Sequence, residues 1–319
     1  MPASEPIDTH QKALSINLDP SIFGSFAEIG AGQEVARWFL RVGAASGTVA
    51  KTISAYDKDV SDELYGAGTR YVSRPRLQSM LEHEWTHLLA QLNQHRGDST
   101  RFFCFVDTVS ARNFAGDNEC HGWIGLRFQA KPHGLPNDII LHINLRDRSN
   151  LGQQAAVGIL GVNLIHSAFH HVGSVEEFLG QLAAELSPQR VEFDFIAVQG
   201  EALEQWNADH VHASLVAKHL AEAVVFPAGD KLAPPTELLY KKAMVLAPGE
   251  FNVARPSHGK MIEDTLASLG KKDLAESKGS LGLFVLTCVG DASDRPTLSA
   301  EQILEHVQAS QKLGYGVLV

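Results

Sequence analysis

Cysteine and long apolar runs are both scarce in this sequence. The chain has three cysteines in 319 residues, Cys104, Cys120 and Cys288, and no CxxC pair. An odd number of widely spaced cysteines argues against a disulfide framework or a cysteine zinc site, so we expect free thiols in a reducing compartment. No apolar run reaches the ~18 residues of a transmembrane helix, and the polar first twenty residues lack the apolar segment of a signal peptide. A cytoplasmic protein without membrane contact is therefore expected.

Positive charge is also in deficit. The chain has 27 Lys+Arg against 37 Asp+Glu, a formal charge of −10. This balance argues against broad binding to nucleic acid or anionic membranes. With 44% hydrophobic and 20% charged residues, the composition is that of a soluble globular protein. Its length corresponds to about two domains.

The pattern in residues 1–200 predicts a mixed α/β domain. Three segments rich in Phe, Ile, Val and Leu and bounded by turn residues predict strands over 101–107, 121–129 and 138–144. The linkers between them have hairpin length, so these strands are expected to be antiparallel. Apolar periodicity predicts flanking helices over 27–45, 74–94, 152–170 and 175–186, and a further strand over 190–198.

Residues 201–319 show a different pattern, in which predicted strands and helices alternate. This pattern predicts βαβ units and the start of a Rossmann-like domain with a parallel sheet. The predicted elements are helices over 208–223, 260–269 and 300–312, and strands over 224–226, 243–246 and 281–289. The chain ends in the apolar segment 316–319, which favours an incomplete domain truncated at the C-terminus.

A glycine-rich stretch begins near residue 28. Glu28, Gly30 and Gly32 partly resemble the glycine loop of methyltransferases that use S-adenosylmethionine. The preceding segment 23–26 is short and broken by Gly24, which argues against a central strand. The alternative interpretation, small residues packed closely at the start of a helix, is favoured because a lone GxG is weak evidence.

A literal HExxH motif occupies residues 83–87 on the predicted helix 74–94. His83 and His87, one helical turn apart, could ligate zinc, with Glu84 activating a water molecule as in zinc peptidases. The sequence offers no convincing third ligand. A plain solvated helix face is the alternative, and it is favoured.

Polar residues also meet at predicted strand ends. Cys120 and His121 open one strand, while Arg146, Asp147 and Arg148 follow another. Two arginines around an aspartate could hold a phosphate or carboxylate. The favoured alternative is a surface turn with ion pairs, which contribute only ~0–1 kcal/mol each.

Four stretches together resemble an uncharacterised bacterial cytosolic family. They are residues 23–37, 50–57, 120–123 and 158–163. Members of this family carry the names nicotinate- or nicotinamide-nucleotide adenylyltransferase, or TonB-dependent receptor, and run beyond the point where this chain stops. The residues support neither name. The adenylyltransferase loop GSFxPxHxGH matches at Gly24, Ser25 and Phe26, but residues 27–34 contain no histidine.

Two classes of function follow from these observations. In the first, the protein binds a nucleotide-like or phosphate-bearing small molecule; its candidate binding residues are Glu28, Gly30, Gly32, Lys51, Asp57, Arg146 and Asp147. In the second, it is a self-associating structural or regulatory protein whose interface uses Trp38, Phe39 and residues 43–47. A homo-oligomer is expected in either case. Whether the protein is an enzyme stays open, and the sequence identifies no cofactor.

Overall fold

The chain divides into two compact units, Met1–Trp206 and Asn207–Val319. A computed structural model describes residues 7–68, 70–249, 251, 254–270, 277–288 and 297–319. Both units are α/β, as the sequence predicts, with a mixed sheet and flanking helices in the first and βαβ units in the second. In the described ranges, no helix is both long and apolar enough to cross a membrane.

The first unit contains six strands and six α-helices among its described residues. The strands are β1 (Ile22–Ile29), β2 (Val49–Ile53), β3 (Arg101–Ser110), β4 (His121–Gln129), β5 (Pro136–Leu145) and β6 (Val191–Gln199). The helices are α1 (Thr9–Leu18), α2 (Glu34–Val42), α3 (Lys58–Tyr65), α4 (Arg74–Arg96), α5 (Asn150–His170) and α6 (Val175–Leu182).

The six strands form one sheet in the order β2-β1-β3-β4-β5-β6. Strands β2, β1 and β3 are parallel, whereas β4, β5 and β6 each run antiparallel to the preceding neighbour. The predicted antiparallel arrangement of the three central segments is confirmed. The sheet is thus mixed, with one parallel half and one antiparallel half.

Helices cover both faces of this sheet. On one face, Phe26 of β1 packs against Phe39 of α2, with ring centroids 5.1 Å apart, and Phe103 packs against Phe169 of α5 at 6.1 Å. On the other face, α4 lies on β3 and β4, where its leucines leave no room for a side chain at Gly125. Because side chains alternate along a strand, each strand residue is assigned to the α2–α5 face or to the α4 face.

Strand β1 lies inside the sheet, so the prediction that segment 23–26 is no central strand is wrong, as is a helix beginning at residue 27. Gly24 explains the error. A Cβ at this position would collide with the backbone carbonyl and ring of Phe103 on the neighbouring strand. The glycine therefore permits close strand packing here, and helix α2 starts only at Glu34.

Two helices of the first unit lie outside the helices predicted from the sequence. Helix α1 begins at the N-cap Asp8, whose side chain accepts a hydrogen bond from the backbone N–H of Gln11. Asp57 caps helix α3 by accepting from the N–H groups of Asp59 and Val60. In both cases a capping aspartate starts a short helix.

The second unit contains the strands β7 (Val225–Phe226), β8 (Ala243–Pro248), β9 (Ser280–Val285) and β10 (Gly316–Leu318). Its helices are α7 (Ala208–Ala217), α8 (Pro235–Leu238), α9 (Pro256–Ser268) and α10 (Ala300–Gln311). The sheet order is β7-β10-β9-β8, with β8, β9 and β10 parallel and β7 antiparallel at the edge. Helix α7 ends earlier than predicted because His219 adopts a left-handed conformation, with φ 59°. The predicted end of β9 at residue 289 lies outside the described residues.

Candidate functional site

Several strands of the six-stranded sheet begin or end along the same side. This edge runs across the strand ends and not along an outer strand. Strands β1, β2 and β3 are parallel and finish there, β4 begins there at His121, and β5 ends there after Asn144. Helix α2 lies on one face after β1, whereas α4 precedes β3 on the other face. In open α/β sheets, ligands bind beyond the carboxyl ends of strands where the connections change face in this way.

A hydrogen-bonded chain of three side chains lies at this edge, on the α4 face. Nδ1 of His121 is 3.1 Å from Nε2 of His142, and Nδ1 of His142 is 2.6 Å from Oδ1 of Asp194. His142 and Asp194 are each only 3% exposed, whereas His121 is half-buried. These three hydrogen-bonded side chains therefore connect a buried carboxylate to an imidazole at the surface.

An extra residue in β6 places Asp194 in this chain. His142 pairs with Phe195, but the next residue, Ile143, pairs with Phe193, so Asp194 is unpaired between them. Such a bulge inserts a residue that changes where neighbouring side chains point, and bulges are frequent beside functional sites. Here it brings the Asp194 carboxylate next to the imidazole of His142.

The Asp194 carboxylate is also bound on its second oxygen. The side-chain amide of Asn144 donates to Oδ2 of Asp194 at 3.1 Å and to Glu192 at 3.0 Å. Arg146 donates to the same Glu192 carboxylate at 2.6 Å. Buried carboxylates are stable only with such partners. We call these six residues the polar cluster: His121, His142, Asn144, Arg146, Glu192 and Asp194.

Aromatic and cationic side chains surround the polar cluster. The ring of Trp123 lies 4.8 Å from that of His142, between centroids. The charge of Arg70, an exposed residue, acts on His121 from the segment before α4. Burial, the neighbouring His142 and Arg70 lower the pKa of His121, while Glu119 and Asp194 raise it; the net shift is downward. His121 is consequently neutral at pH 7.

The sequence predicts His121, Arg146 and Asp147 at strand ends, and the structure brings the first two into the polar cluster. His142, Glu192 and Asp194 are not among the residues predicted from the sequence. The missed residues alternate with apolar residues along β5 and β6, as solvent-facing positions of a half-buried strand do. The sequence does contain a signal for these residues: polar side chains stand at every second position of two successive strands, on the face covered by a helix.

Asp147 takes a different partner. Its Oδ2 accepts from Nε of Arg190 at 2.9 Å in a partly exposed ion pair. Cys120 precedes His121 on the chain, but successive strand side chains point to opposite faces, so its thiol is directed away from the imidazole. Sγ of Cys120 instead lies 3.6 Å from the carbonyl oxygen of Asn118.

Glu28 is fully buried on the α2–α5 face of the same edge. Its carboxylate accepts from the backbone N–H groups of Val35 and Ala36 at 3.0 and 2.9 Å, which fills the N-terminus of α2. Asp107 on β3 stands directly opposite in the register. Burial raises the pKa of Glu28 to about 7, and burial together with Glu28 raises the pKa of Asp107.

Gly30 and Gly32 follow β1, and both have positive φ, at 103° and 82°. A Cβ on Gly30 would collide with the carbonyl oxygen of Val109 on β3. This contact fits the close-packing interpretation of the loop. Gly32 is exposed, and a Cβ there would make only an ordinary contact with the side chain of Glu34, at 3.9 Å.

Lys51 does not converge with Glu28. It pairs in register with Ser25, three residues before Glu28 on β1, and therefore projects from the opposite face. Its Nζ lies 2.5 Å from Oε2 of Glu84 on α4, beside a cavity of about 190 Å³. Asp57, which follows β2, is occupied as the cap of α3. The candidate binding residues are thus distributed over both faces of one edge.

The HExxH residues do not share one surface. The rings of His83 and His87 are adjacent, with centroids 4.4 Å apart, and line an open cavity of about 720 Å³. Glu84 points towards the sheet instead, where it binds Lys51 and the hydroxyl of Tyr65. Among the residues that the structure describes, no three His, Cys, Asp or Glu side chains are placed to hold a metal ion. Zinc binding at His83 and His87 stays a prediction.

The fold leaves only part of the predicted self-association surface exposed. Phe39 is fully buried against Phe26 and is not available to a partner. Trp38 is half-buried, and the guanidinium of Arg41 lies 5.3 Å from its ring centroid. Self-association itself stays a prediction.

Comparisons with known proteins give weak structural likenesses. No family model and no curated protein matches the chain. The competence/damage inducible protein CihA from Agrobacterium tumefaciens matches at 17% identity and a TM-score of 0.35, over 51% of this chain and 96% of that one. The competence damage-inducible protein A (ComA) from Klebsiella pneumoniae matches at 10% and 0.39, over 52% and 99%. A CinA superfamily protein from Escherichia coli matches at 9% and 0.35, over 53% and 93%. No activity or ligand is transferred from them.

Proposed function

We propose that the first unit binds a nucleotide-like or phosphate-bearing small molecule at the sheet edge that carries the polar cluster. The observation that supports this most is the half-buried His121, which reaches the surface beside arginines. Arg70 acts on it electrostatically, and Arg146 lies in the same cluster. Arginine side chains suit phosphate because the guanidinium can donate two parallel hydrogen bonds to its oxygens.

Both carboxylates of the polar cluster already have hydrogen-bond donors as partners. Asp194 is engaged by His142 and Asn144, and Glu192 by Asn144 and Arg146. Arg146 and the exposed Arg148 both follow β5 immediately. The 21-residue helix α5 begins shortly after them in the chain.

Isothermal titration calorimetry with AMP and with adenosine tests this proposal. AMP is expected to bind more tightly than adenosine, because only AMP has a phosphate for the arginines. Arg146→Gln is expected to weaken AMP binding about tenfold and to leave adenosine unaffected, as loss of one charge-assisted contact implies.

Lys260→Gln is the matched control, since it also removes one positive charge but lies in the second unit in an exposed pair with Asp264. It is expected to leave AMP binding unchanged. Equal affinity of the wild type for AMP and adenosine would contradict the proposal, as would AMP binding that is insensitive to Arg146.

A further inference from the structure

We infer that His121 is a general base, and that His142 and Asp194 determine which of its nitrogens accepts a proton. The inference rests on the proposed function for the ligand class, but its geometric argument is separate. In the activity implied, Nε2 of His121 takes the proton of a hydroxyl group on the bound molecule or on water. The electron pair of that O–H bond stays on the oxygen, which becomes a nucleophile.

The direction of the hydrogen bonds follows from Asp194. An ionised carboxylate has no hydrogen to donate, so its two oxygens can only accept, one from Nδ1 of His142 and the other from the amide of Asn144. Nδ1 of His142 therefore carries a hydrogen. In a neutral imidazole, the other nitrogen, Nε2, then has a lone pair and can only accept.

The same logic fixes the next imidazole. Nε2 of His142 accepts from Nδ1 of His121 across 3.1 Å, so Nδ1 of His121 carries its hydrogen. Nε2 of neutral His121 is left with the lone pair. In the part of the chain that the structure describes, this nitrogen has no hydrogen-bond partner. A base whose imidazole is oriented by a third group is the arrangement found in enzymes that activate a nucleophile.

Electrostatics at His121 suit this role at neutral pH. Burial, the largest cause, holds the pKa of the imidazole below its ordinary value, and Arg70 acts in the same direction against the opposing charges of Glu119 and Asp194. The imidazole is therefore unprotonated and ready to accept. When it does, the ionised Asp194 at the far end of the chain stabilises the positive charge shared by the two rings.

Diethyl pyrocarbonate tests the inference without any ligand, because it modifies a histidine only at an unprotonated ring nitrogen. Peptide mass spectrometry follows the rate of modification of His121 against pH. His121 of the wild type is expected to react with a midpoint below the ordinary histidine pKa. The exposed His133 serves as an internal reference for reagent activity.

Asp194→Asn separates a positioning role from a purely structural one. The amide of the new asparagine can donate to Nδ1 of His142, which reverses both hydrogen bonds and puts the hydrogen of His121 on Nε2. Modification of His121 is then expected to slow about tenfold or more, since a hydrogen bond to a charged group biases the tautomer by that order. If Asp194 only stabilises the fold, the variant exposes His121 and modification accelerates.

Two further measurements complete the test. Asp147→Asn changes a carboxylate at the same edge that binds Arg190 instead, and it is expected to leave the rate at His121 unchanged. Long-range 1H–15N spectra of the wild-type histidines report the tautomer directly, so the test holds even if the Asp194 variant does not fold. A hydrogen on Nε2 of His121 in the wild type, or faster modification in Asp194→Asn, would overturn the inference. If His121 is modified at the expected rates but AMP does not bind, the inference that His121 is a general base stands. Only the proposed ligand class is then rejected.

Discussion

Asp194 accepts a hydrogen bond from Nδ1 of His142 at 2.6 Å, although the two residues are 52 positions apart in the chain. The bulge between β5 and β6 makes this contact possible by leaving Asp194 unpaired beside His142. A side chain that is 3% exposed and charged needs every partner it has. The polar cluster is therefore both a candidate site and a structural element, and substitutions should separate the two roles.

Replacing Asp194 with alanine is expected to destabilise the first unit. The change leaves the buried Nδ1–H of His142 without an acceptor and removes one of the two acceptors of the Asn144 amide. Leaving a buried donor unsatisfied costs about 1–3 kcal/mol of unfolding free energy. Urea unfolding monitored by circular dichroism measures the loss. Asp147→Ala, in a partly exposed pair with Arg190, is the control, with an expected loss of about 0–1 kcal/mol. Equal losses in both variants would contradict the account.

The buried pair of Glu28 and Asp107 predicts a specific pH dependence. Burial raises the folded-state pKa of Glu28 to about 7, above the unfolded value of 4.5, and raises that of Asp107 as well. The folded state therefore binds more protons than the unfolded state, and stability falls as the pH rises. The contribution of Glu28 is lost between about pH 4.5 and 7 and amounts to on the order of 1–3 kcal/mol.

Asp107→Asn is the substitution that tests this pair. The asparagine oxygen can still accept from the backbone N–H of Ile29, as Oδ1 of Asp107 does at 3.1 Å. The variant removes one buried charge, so its stability relative to the wild type is expected to increase from pH 5 to pH 8. Chemical unfolding at the two pH values provides the comparison. A difference that stays constant with pH would show that the two carboxyls do not interact.

Glu84 offers a test of the HExxH motif. Because its carboxylate binds Lys51 and Tyr65 on the sheet side, Glu84→Gln is expected to lower the unfolding free energy by about 1–3 kcal/mol. Glu82→Gln, at the exposed neighbouring position, should cost much less. A zinc hydrolase would give another result, with stoichiometric zinc by elemental analysis and a Glu84→Gln variant of unchanged stability.

Gly24→Ala tests the packing of β1 against β3. The added methyl group would meet the carbonyl oxygen and ring of Phe103, and overpacking of this kind costs about 1–3 kcal/mol. Gly173→Ala is the control, because a Cβ there meets no atom within 4 Å and its φ is not positive. Thermal unfolding of the two variants provides the measurement. A stable Gly24→Ala protein would contradict the register of β1 on β3.

The sequence predicts the elements that can be recognised from residues adjacent in the chain. It does not predict those that depend on a neighbouring strand in the sheet. Strands β3, β4 and β5 were found because apolar runs and hairpin-length linkers lie next to each other in the chain. Strand β1 was missed because Gly24 looks like a strand breaker until Phe103 is placed against it.

The candidate site shows the same division. His121 and Arg146 are recognisable at strand ends, whereas the role of Asp194 depends on a bulge, and a bulge depends on two strands pairing. The separation of Glu28 from Lys51 also depends on pairing. Only the register of β1 with β2 places these side chains on opposite faces.

Titration of the histidine ring signals with AMP shows whether a phosphate-bearing ligand binds at the polar cluster. Long-range 1H–15N spectra of the labelled wild-type protein, assigned with His121→Gln and His142→Gln, show which imidazoles respond. The account predicts that AMP shifts the signals of His121 and His142 and leaves those of His87 and His133 in place, whereas adenosine shifts none of the four at the same concentration. Shifts at His87 or His133 alone, or no response at His121 when AMP binds, would contradict a phosphate-bearing ligand at the polar cluster.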